Sequence, residues 1–410
     1  MKQGGFFKKT IRDVPLDGKV VLLRADYNVP LTDKGEVKDD YRIRASLPTI
    51  KELLKRGCKV VIISHLGRPD GEVNPDFSLE PVAECLGQRL GKKVTFVPAS
   101  IGDAVTVAVK KAPKASVLLL ENIRFHKGEE ANDSDFARQL AASSLAAYFV
   151  QDGFGVVHRA HASTAAITHC LPAVSGLLLE KEYLVLRGVM DKPQKPLVAV
   201  LGGAKIADKI QLISRFIGIA DKVIIGGAMA NTFLKYRKYP IGKSITDDGL
   251  DKTLDKIYAA AKNKVGAKAV DDFIIIPEDV AVATEISAYA RRVNVNRRDV
   301  ASDEIILDIG PSTMDLIDRE IKNAKTVVWN GTLGLAELEQ FSHGSARLAL
   351  ALATRPKVKS VVGGGDTADF VLHWDAAGGD SFDHISTGGG ASLELMSGQP
   401  MPGIESLMDA

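Results

Sequence analysis

Eleven short apolar runs punctuate this chain, each continuous rather than alternating, rich in Val, Ile and Leu, and about as long as a strand. The first half holds KVVLLRAD (19–26), KVVIIS (59–64), KKVTFV (92–97), SVLLLEN (116–122) and AYFVQD (147–152). The second half holds PLVAVLGG (196–203), DKVIIGG (221–227), DFIIIP (272–277), KTVVWNG (325–331), KSVVGGG (359–365) and DHISTGG (383–389). A strand that is apolar at every position is buried on both faces, as in a parallel sheet covered by helices on both sides. Amphipathic stretches fill the gaps and predict helices over 46–57, 133–146, 251–266 and 312–325. Strand alternating with helix gives an α/β fold with parallel sheets, and eleven strands exceed the eight of a single barrel. Two open sheets are therefore expected. A chain of 410 residues is also too long for one core. The stretch 179–196 reads as a helix followed by a proline-bearing turn, so a boundary is placed after residue 178.

The three cysteines, Cys58, Cys85 and Cys170, are far apart and odd in number, which excludes a disulfide framework and a CxxC metal pair. No apolar run approaches the roughly 18 residues of a membrane span, and the first residues lack a signal-peptide core. A cytoplasmic protein is expected. The net charge of +2 leaves no global field for nucleic acid or a lipid surface, so any anion site must be local.

Open α/β sheets bind ligands beyond the carboxyl ends of their strands. In the first half those exits are basic. They carry Arg24, Asp26 and Asn28; then His65, Leu66, Gly67 and Arg68; then Arg124 and His126; then His158, Arg159 and His161, with Arg42 and Arg44 in the segment after the first exit. One arginine alone would be an ordinary surface charge. Several on one sheet edge suit a small, highly charged anion, because the guanidinium fork matches phosphate and carboxylate. HRAH (158–161) has an i, i+3 histidine pair but no partner ligand at metal spacing.

In the second half the exits are glycine-rich: Gly202-Gly203 with Lys205 and Lys209, Gly226-Gly227, Asn330-Gly331, Gly363 to Thr367, and Gly388 to Gly390. Glycine lets backbone N–H groups approach a polyphosphate, and the helix N-terminus that follows favours negative charge. Lys205 and Lys209 are spaced i, i+4 and are expected on one face of the first helical turn. Asp366 is the natural Mg²⁺ ligand, since such sites use one or two carboxylates with the nucleotide's own phosphates. GGGDTA (363–368) also fits a dinucleotide fingerprint, but its acid, Asp383, precedes the next strand instead of ending it. No Walker A sequence is present. A small-anion edge and a nucleotide edge on separate domains predict phosphoryl transfer with hinge closure that excludes water. A nicotinamide-dependent dehydrogenase and a non-catalytic two-lobed anion binder are the rival readings.

RADYNVPL (24–31), SHLGRP (64–69), LLLENIRFHKGEE (118–130), FGVVHRAHAS (154–163), LGGAKIADKI (201–210), GGAMANTFL (226–234), DIGP (308–311), GGGDTA (363–368) and STGGGASLEL (386–395) resemble, in order, the motifs of the phosphoglycerate kinase family. The resemblance implies two Rossmann-like domains joined by an interdomain helix. A triose-acid domain would span 1–178, with the tail 397–410 returning to it, and a nucleotide domain 179–396. It implies a 3-phosphoglycerate site of Asp26, Asn28, Arg42, His65, Leu66, Gly67, Arg68, Arg124 and Arg159. It implies a nucleotide site of Lys205, Lys209, Gly226, Gly227, Asn330, Glu337 and Gly364 to Thr367. Arg42, Lys205, Lys209 and the amides of Gly388, Gly389 and Gly390 would act on the transferring group, and Asp366 would hold Mg²⁺. The expected reaction exchanges a phosphoryl group between 1,3-bisphosphoglycerate and ADP, giving 3-phosphoglycerate and ATP, in a monomer. Three residues depart from the family pattern, all on the nucleotide side: Thr332 for a usual proline, Ile306 for a glycine, and Ala336 for an aromatic residue.

Overall fold

The computed structural model describes residues 5–410. Its strands are β1 (Val20–Arg24), β2 (Lys59–Ile63), β3 (Val94–Val97), β4 (Val117–Leu120), β5 (Tyr148–Gln151), β6 (Ala173–Ser175), β7 (Leu197–Leu201), β8 (Lys222–Ile225), β9 (Ile274–Ile275), β10 (Asp279–Ala283), β11 (Val293–Asn296), β12 (Ile305–Ile309), β13 (Thr326–Asn330), β14 (Lys359–Gly363) and β15 (His384–Ile385). All eleven expected runs contain a strand. Two compact units emerge, one running to Arg187 and including Gly398–Ala410, the other Gly188–Ser397. The division falls inside a continuous helix, Leu177–Asp191.

The first unit is a six-stranded parallel sheet in the order β3-β4-β2-β1-β5-β6. Its central strands are buried on both sides: Leu22, Leu23, Val60, Val61, Ile62 and Ile63 are sealed from solvent. Each such side chain contributes about 1.5–3 kcal/mol relative to exposure, which favours apolar residues at these positions. The helix Tyr41–Lys55 begins five residues before the expected stretch and presents Ile43, Ile50 and Leu53 to this core. The helix Ser134–Ser144 starts where Asp133 accepts the Phe136 N–H at 2.7 Å, a side-chain cap for an otherwise orphan donor. The C-terminal tail packs on this unit. Lys9 N donates to Met408 O, Met408 N to Ala173 O and Gly403 N to Val157 O. The buried Lys8 ammonium is held by the Glu405 and Leu407 carbonyls and by Asp409.

The second unit has a six-stranded parallel sheet, β15-β14-β13-β7-β8-β9, which is the doubly wound order with its reversal between β7 and β13. Beside it stands an antiparallel sheet, β11-β10-β12, that the sequence reading did not anticipate. β11 reads VNVN and is mostly exposed, so it lacks the continuous apolar signature of the other runs.

Candidate active site

The reversal of strand order in the first sheet puts the exits of β1 and β5 side by side, with β2 next to β1 and β4 beyond it. There, Asn28 Oδ1 accepts the Gly67 N–H at 2.9 Å, and the Gly67 carbonyl accepts from Arg124 Nη1 at 2.7 Å. The loop after β2 is thus pinned to both neighbouring exits. Gly67 has φ +64°, and a β-carbon there would overlap the Phe77 ring. Arg42 Nη1 donates to the Asn28 carbonyl, and Asp26 Oδ1 accepts the Asn28 N–H at 3.1 Å. Leu66 is buried and its carbonyl takes the Asn122 amide at 2.7 Å.

His65 is buried and held well below the usual histidine range, first by burial, then by the charges of Arg24, Arg124 and Arg42. His161 is pushed down to about 4 by burial and then by the charges of Arg24, Arg124 and Arg159. Arg124 is buried with its Nε unpartnered and carries Glu130 at 3.3 Å. Arg159 is exposed, donates from Nε to His158 Nε2 at 3.1 Å, and its charge is felt at Arg124 and His161. Arg68 lies exposed on the β2 loop and hydrogen-bonds none of the others. Asp26, Asn28, Arg42, His65, Gly67 and Arg124 are therefore brought into direct contact, with Arg159 beside them. The sequence reading passed over Glu129 and Ser163, both fully buried here. They sat inside quoted motifs, but nothing in their spacing marked them.

In the second unit the exits of β7 and β13 meet. Gly202 N donates to Asn330 O and Gly203 N to Thr332 O, both at 2.9 Å. Gly203, Gly331 and Gly364 have φ of +100°, +99° and +95°, in the region that L side chains avoid. The Gly331 N–H donates to Thr367 Oγ1 at 2.6 Å, tying the β13 exit to the helix Gly365–Trp374. Asn330 is buried with its Nδ2 unpartnered. The helix Gly389–Ser397 begins alongside: a β-carbon on Gly389 would lie 2.8 Å from Gly365 N. Two helix N-termini thus converge, with Asp366 in the first turn of one and Gly388, Gly389 and Gly390 leading into the other. Such an arrangement favours an anion.

Lys205 and Lys209 do not share a helical face. A 3₁₀ turn occupies Ala207–Lys209 and the α-helix starts at Ile210, so Lys205 lies before the first helical turn, where Asp247 accepts the Ile206 N–H at 2.6 Å. Lys205 is exposed. Lys209 Nζ instead donates to the Gly202 and Asn330 carbonyls at 2.7 and 3.0 Å, and burial brings it down to about 8. Gly226 and Gly227 spend their N–H groups on the Leu201 and Leu333 carbonyls, so they build the loop that supports the site. Glu337 is exposed in the loop after β13, next to the half-buried Ala336. Thr332 supplies its carbonyl to Gly203, a main-chain role indifferent to its side chain, and Ile306 lies in β12 with its N–H on Ser244 Oγ. Asp383 is bound to Ser360 N and Oγ near the start of β14, at the sheet edge opposite the glycines, which removes the ribose ligand a dinucleotide site needs. Among the described residues no cluster of three or more metal-ligating side chains exists. A single Asp366 beside anion-binding helix ends still fits Mg²⁺, which takes most of its ligands from phosphates and water.

Two parallel α/β units, each with anion-binding groups gathered at its carboxyl edge, define the class: a phosphotransferase. The family model described as phosphoglycerate kinase matches residues 11–399, and the chain belongs to that family. It is 44% identical over 403 residues to the phosphoglycerate kinase of Thermosipho africanus, covering 98% of both chains. It is 45% identical over 407 residues to that of Chloroflexus aurantiacus, covering 98% of this chain and 99% of the relative. The solved phosphoglycerate kinase of Coxiella burnetii superposes with a TM-score of 0.82 at 36% identity, over 97% of this chain and 98% of that one. The enzyme of Pyrococcus horikoshii gives 0.81 at 29% identity, with the same coverage.

Proposed function

We propose that the chain transfers the acyl phosphoryl group of 1,3-bisphosphoglycerate reversibly to ADP, as a cytoplasmic monomer acting in glycolysis. The observation that carries this reading is the division of labour between the edges, arginine and histidine side chains on one and glycine amides with a lysine on the other, in a member of this family. Asp26, Asn28, Arg42, His65, Arg68, Arg124 and Arg159 would bind the phosphorylated acid, with Leu66 and Gly67 shaping the loop. Lys205, Lys209, Asn330, Glu337 and Gly364 to Thr367 would bind the nucleotide, over a floor supported by Gly226 and Gly227. Asp366 would hold Mg²⁺, which neutralises phosphate charge when bound.

The acceptor oxygen is a carboxylate in one direction and a nucleotide phosphate in the other. Both are deprotonated at neutral pH, so no general base is required and positioning with charge neutralisation suffices. Lys209 must leave the two carbonyls it holds to reach a phosphoryl group, and Arg42 approaches from the other unit. The chemistry therefore requires the two edges to meet during turnover by hinge closure, which also keeps water from the donor. Steady-state turnover of ADP and 1,3-bisphosphoglycerate, with and without Mg²⁺, tests the proposal. Folded protein without Mg²⁺-dependent ATP formation would end it.

A further inference from the structure

Four buried polar groups at the first edge have so far no function: the guanidinium of Arg24, the carboxylate of Glu129, the hydroxyl of Ser163, and Nδ1 of His65. Arg24 is the last residue of β1 and is 0% exposed. Its Nε donates to Ser163 Oγ at 2.8 Å, its Nη1 to the Ala25 carbonyl at 2.5 Å, and its Nη2 lies 3.2 Å from His65 Nδ1. A guanidinium carries donors only. The last contact is therefore a hydrogen bond only if His65 Nδ1 presents its lone pair, and a neutral ring then carries its one proton on Nε2.

The polarity of the rest of the chain is fixed in the same way. Glu129, 0% exposed, accepts the Ser163 hydroxyl at 2.6 Å and the Ser163 N–H at 3.0 Å. A serine hydroxyl has one proton. Having given it to Glu129, Ser163 can only accept from Arg24. The direction of every bond thus follows from the two ends, carboxylate and guanidinium. Glu129 is also the leading charge that offsets the desolvation of Arg24.

We propose that Glu129, Ser163 and Arg24 are positioning residues that lock His65 as its neutral Nε2–H tautomer, so that it is a hydrogen-bond donor of fixed direction to the anionic acid. This rests on the reading of the first edge given above. Among the described residues no other group hydrogen-bonds the ring, so Nε2 remains for a ligand. The opposite tautomer would turn a lone pair towards an anion. A protonated ring would oppose Arg24 N–H with its own N–H, and would add positive charge among Arg24, Arg42, Arg124 and His161, while Asp26 Oδ1, at 4.0 Å from Nδ1, is beyond hydrogen-bond reach. A neutral donor also gives a grip that does not vary across neutral pH.

Long-range proton–nitrogen NMR of the full chain, labelled with ¹⁵N-histidine, reads the tautomer directly and without substrate. Wild-type His65 should show a protonated Nε2 and an unprotonated Nδ1, unchanged between about pH 6 and 8, the range in which histidine normally titrates. In Ser163→Ala, which removes a single oxygen, the two tautomers should mix. The KM for 3-phosphoglycerate should then rise about tenfold, one charge-assisted hydrogen bond's worth, with kcat nearly unchanged. Arg24→Met should release His65 to titrate near its ordinary value of about 6.5, so that 3-phosphoglycerate binding tightens as pH falls through that value. If Arg24→Met does not fold, the wild-type spectrum and Ser163→Ala decide the matter. A protonated Nδ1 in the wild type, or a folded Ser163→Ala with both tautomer and KM unchanged, would overturn the proposal. The expected tautomer in a protein that binds no 3-phosphoglycerate would leave the relay intact and refute the reading of the edge.

Discussion

On the proposed reading the two edges hold anions with different materials. The first is built from side chains. Arg24, Arg124, His65, Asp26 and Glu129 are buried and hydrogen-bonded around a loop pinned by Asn28 and Arg124. The second is built from main chain: glycines with positive φ, two converging helix starts, and Lys209 resting on two carbonyls. The difference suits the ligands. A small rigid acid with charge at both ends rewards fixed, directional guanidinium and imidazole groups. A flexible polyphosphate rewards amides that approach closely, and a mobile cation that engages only as charge develops.

The largest effect should come from Lys209→Ala. If its contact is made mainly in the transition state, kcat falls about 10²–10³-fold while the nucleotide KM moves little. Rapid-quench and steady-state kinetics with ADP check this, and an unchanged kcat removes Lys209 from the chemistry. Next comes Arg124→Gln. It takes a charge-assisted donor from the Gly67 carbonyl and from the acid, and should raise the KM for 3-phosphoglycerate about 10–100-fold with the nucleotide KM unaffected. Arg159→Ala, at an exposed position, should raise the same KM about tenfold or less.

The smallest effect is a pH dependence confined to the second edge. Lys209 sits near 8, below the ordinary lysine value, because burial disfavours its charged form. Its positive charge is complete well below pH 8 and is lost as pH rises through about 8. Hence kcat/KM for ADP should fall up to about tenfold by one unit above that value, and a Lys209→Arg variant should not show this limb. A limb of equal size in 3-phosphoglycerate affinity would blur the separation of the edges.

Much of this was legible in the sequence because burial on both faces writes itself into a strand. Val60 to Ile63 and Leu197 to Leu201 are apolar at every position and could be read directly. β6 has three residues and β11 alternates Val with Asn, so neither stood out from loop. The exits of the strands were legible as chemistry, since arginines there cluster on one sheet and glycines on the other. Side-chain partnership was not. The i, i+4 spacing of Lys205 and Lys209 suggested a shared face, but Asp247, some forty residues away in sequence, captures the backbone between them. Glu129 drew no reading from the sequence, and only the fold puts it under Ser163 and Arg24. The amides of Gly226 and Gly227 looked available for phosphate, yet they face the Leu201 and Leu333 carbonyls.

The separation of the two edges is tested most directly by calorimetric titration of one variant from each, Arg124→Gln and Gly331→Ala, with 3-phosphoglycerate and with Mg-ADP. A β-carbon on Gly331 would collide with the Gly202 main chain and lie 2.5 Å from Lys209 Nζ. The account predicts that Arg124→Gln loses 3-phosphoglycerate and keeps Mg-ADP, and that Gly331→Ala does the reverse. Folded variants that each lose both ligands, or that exchange the pattern, would contradict it.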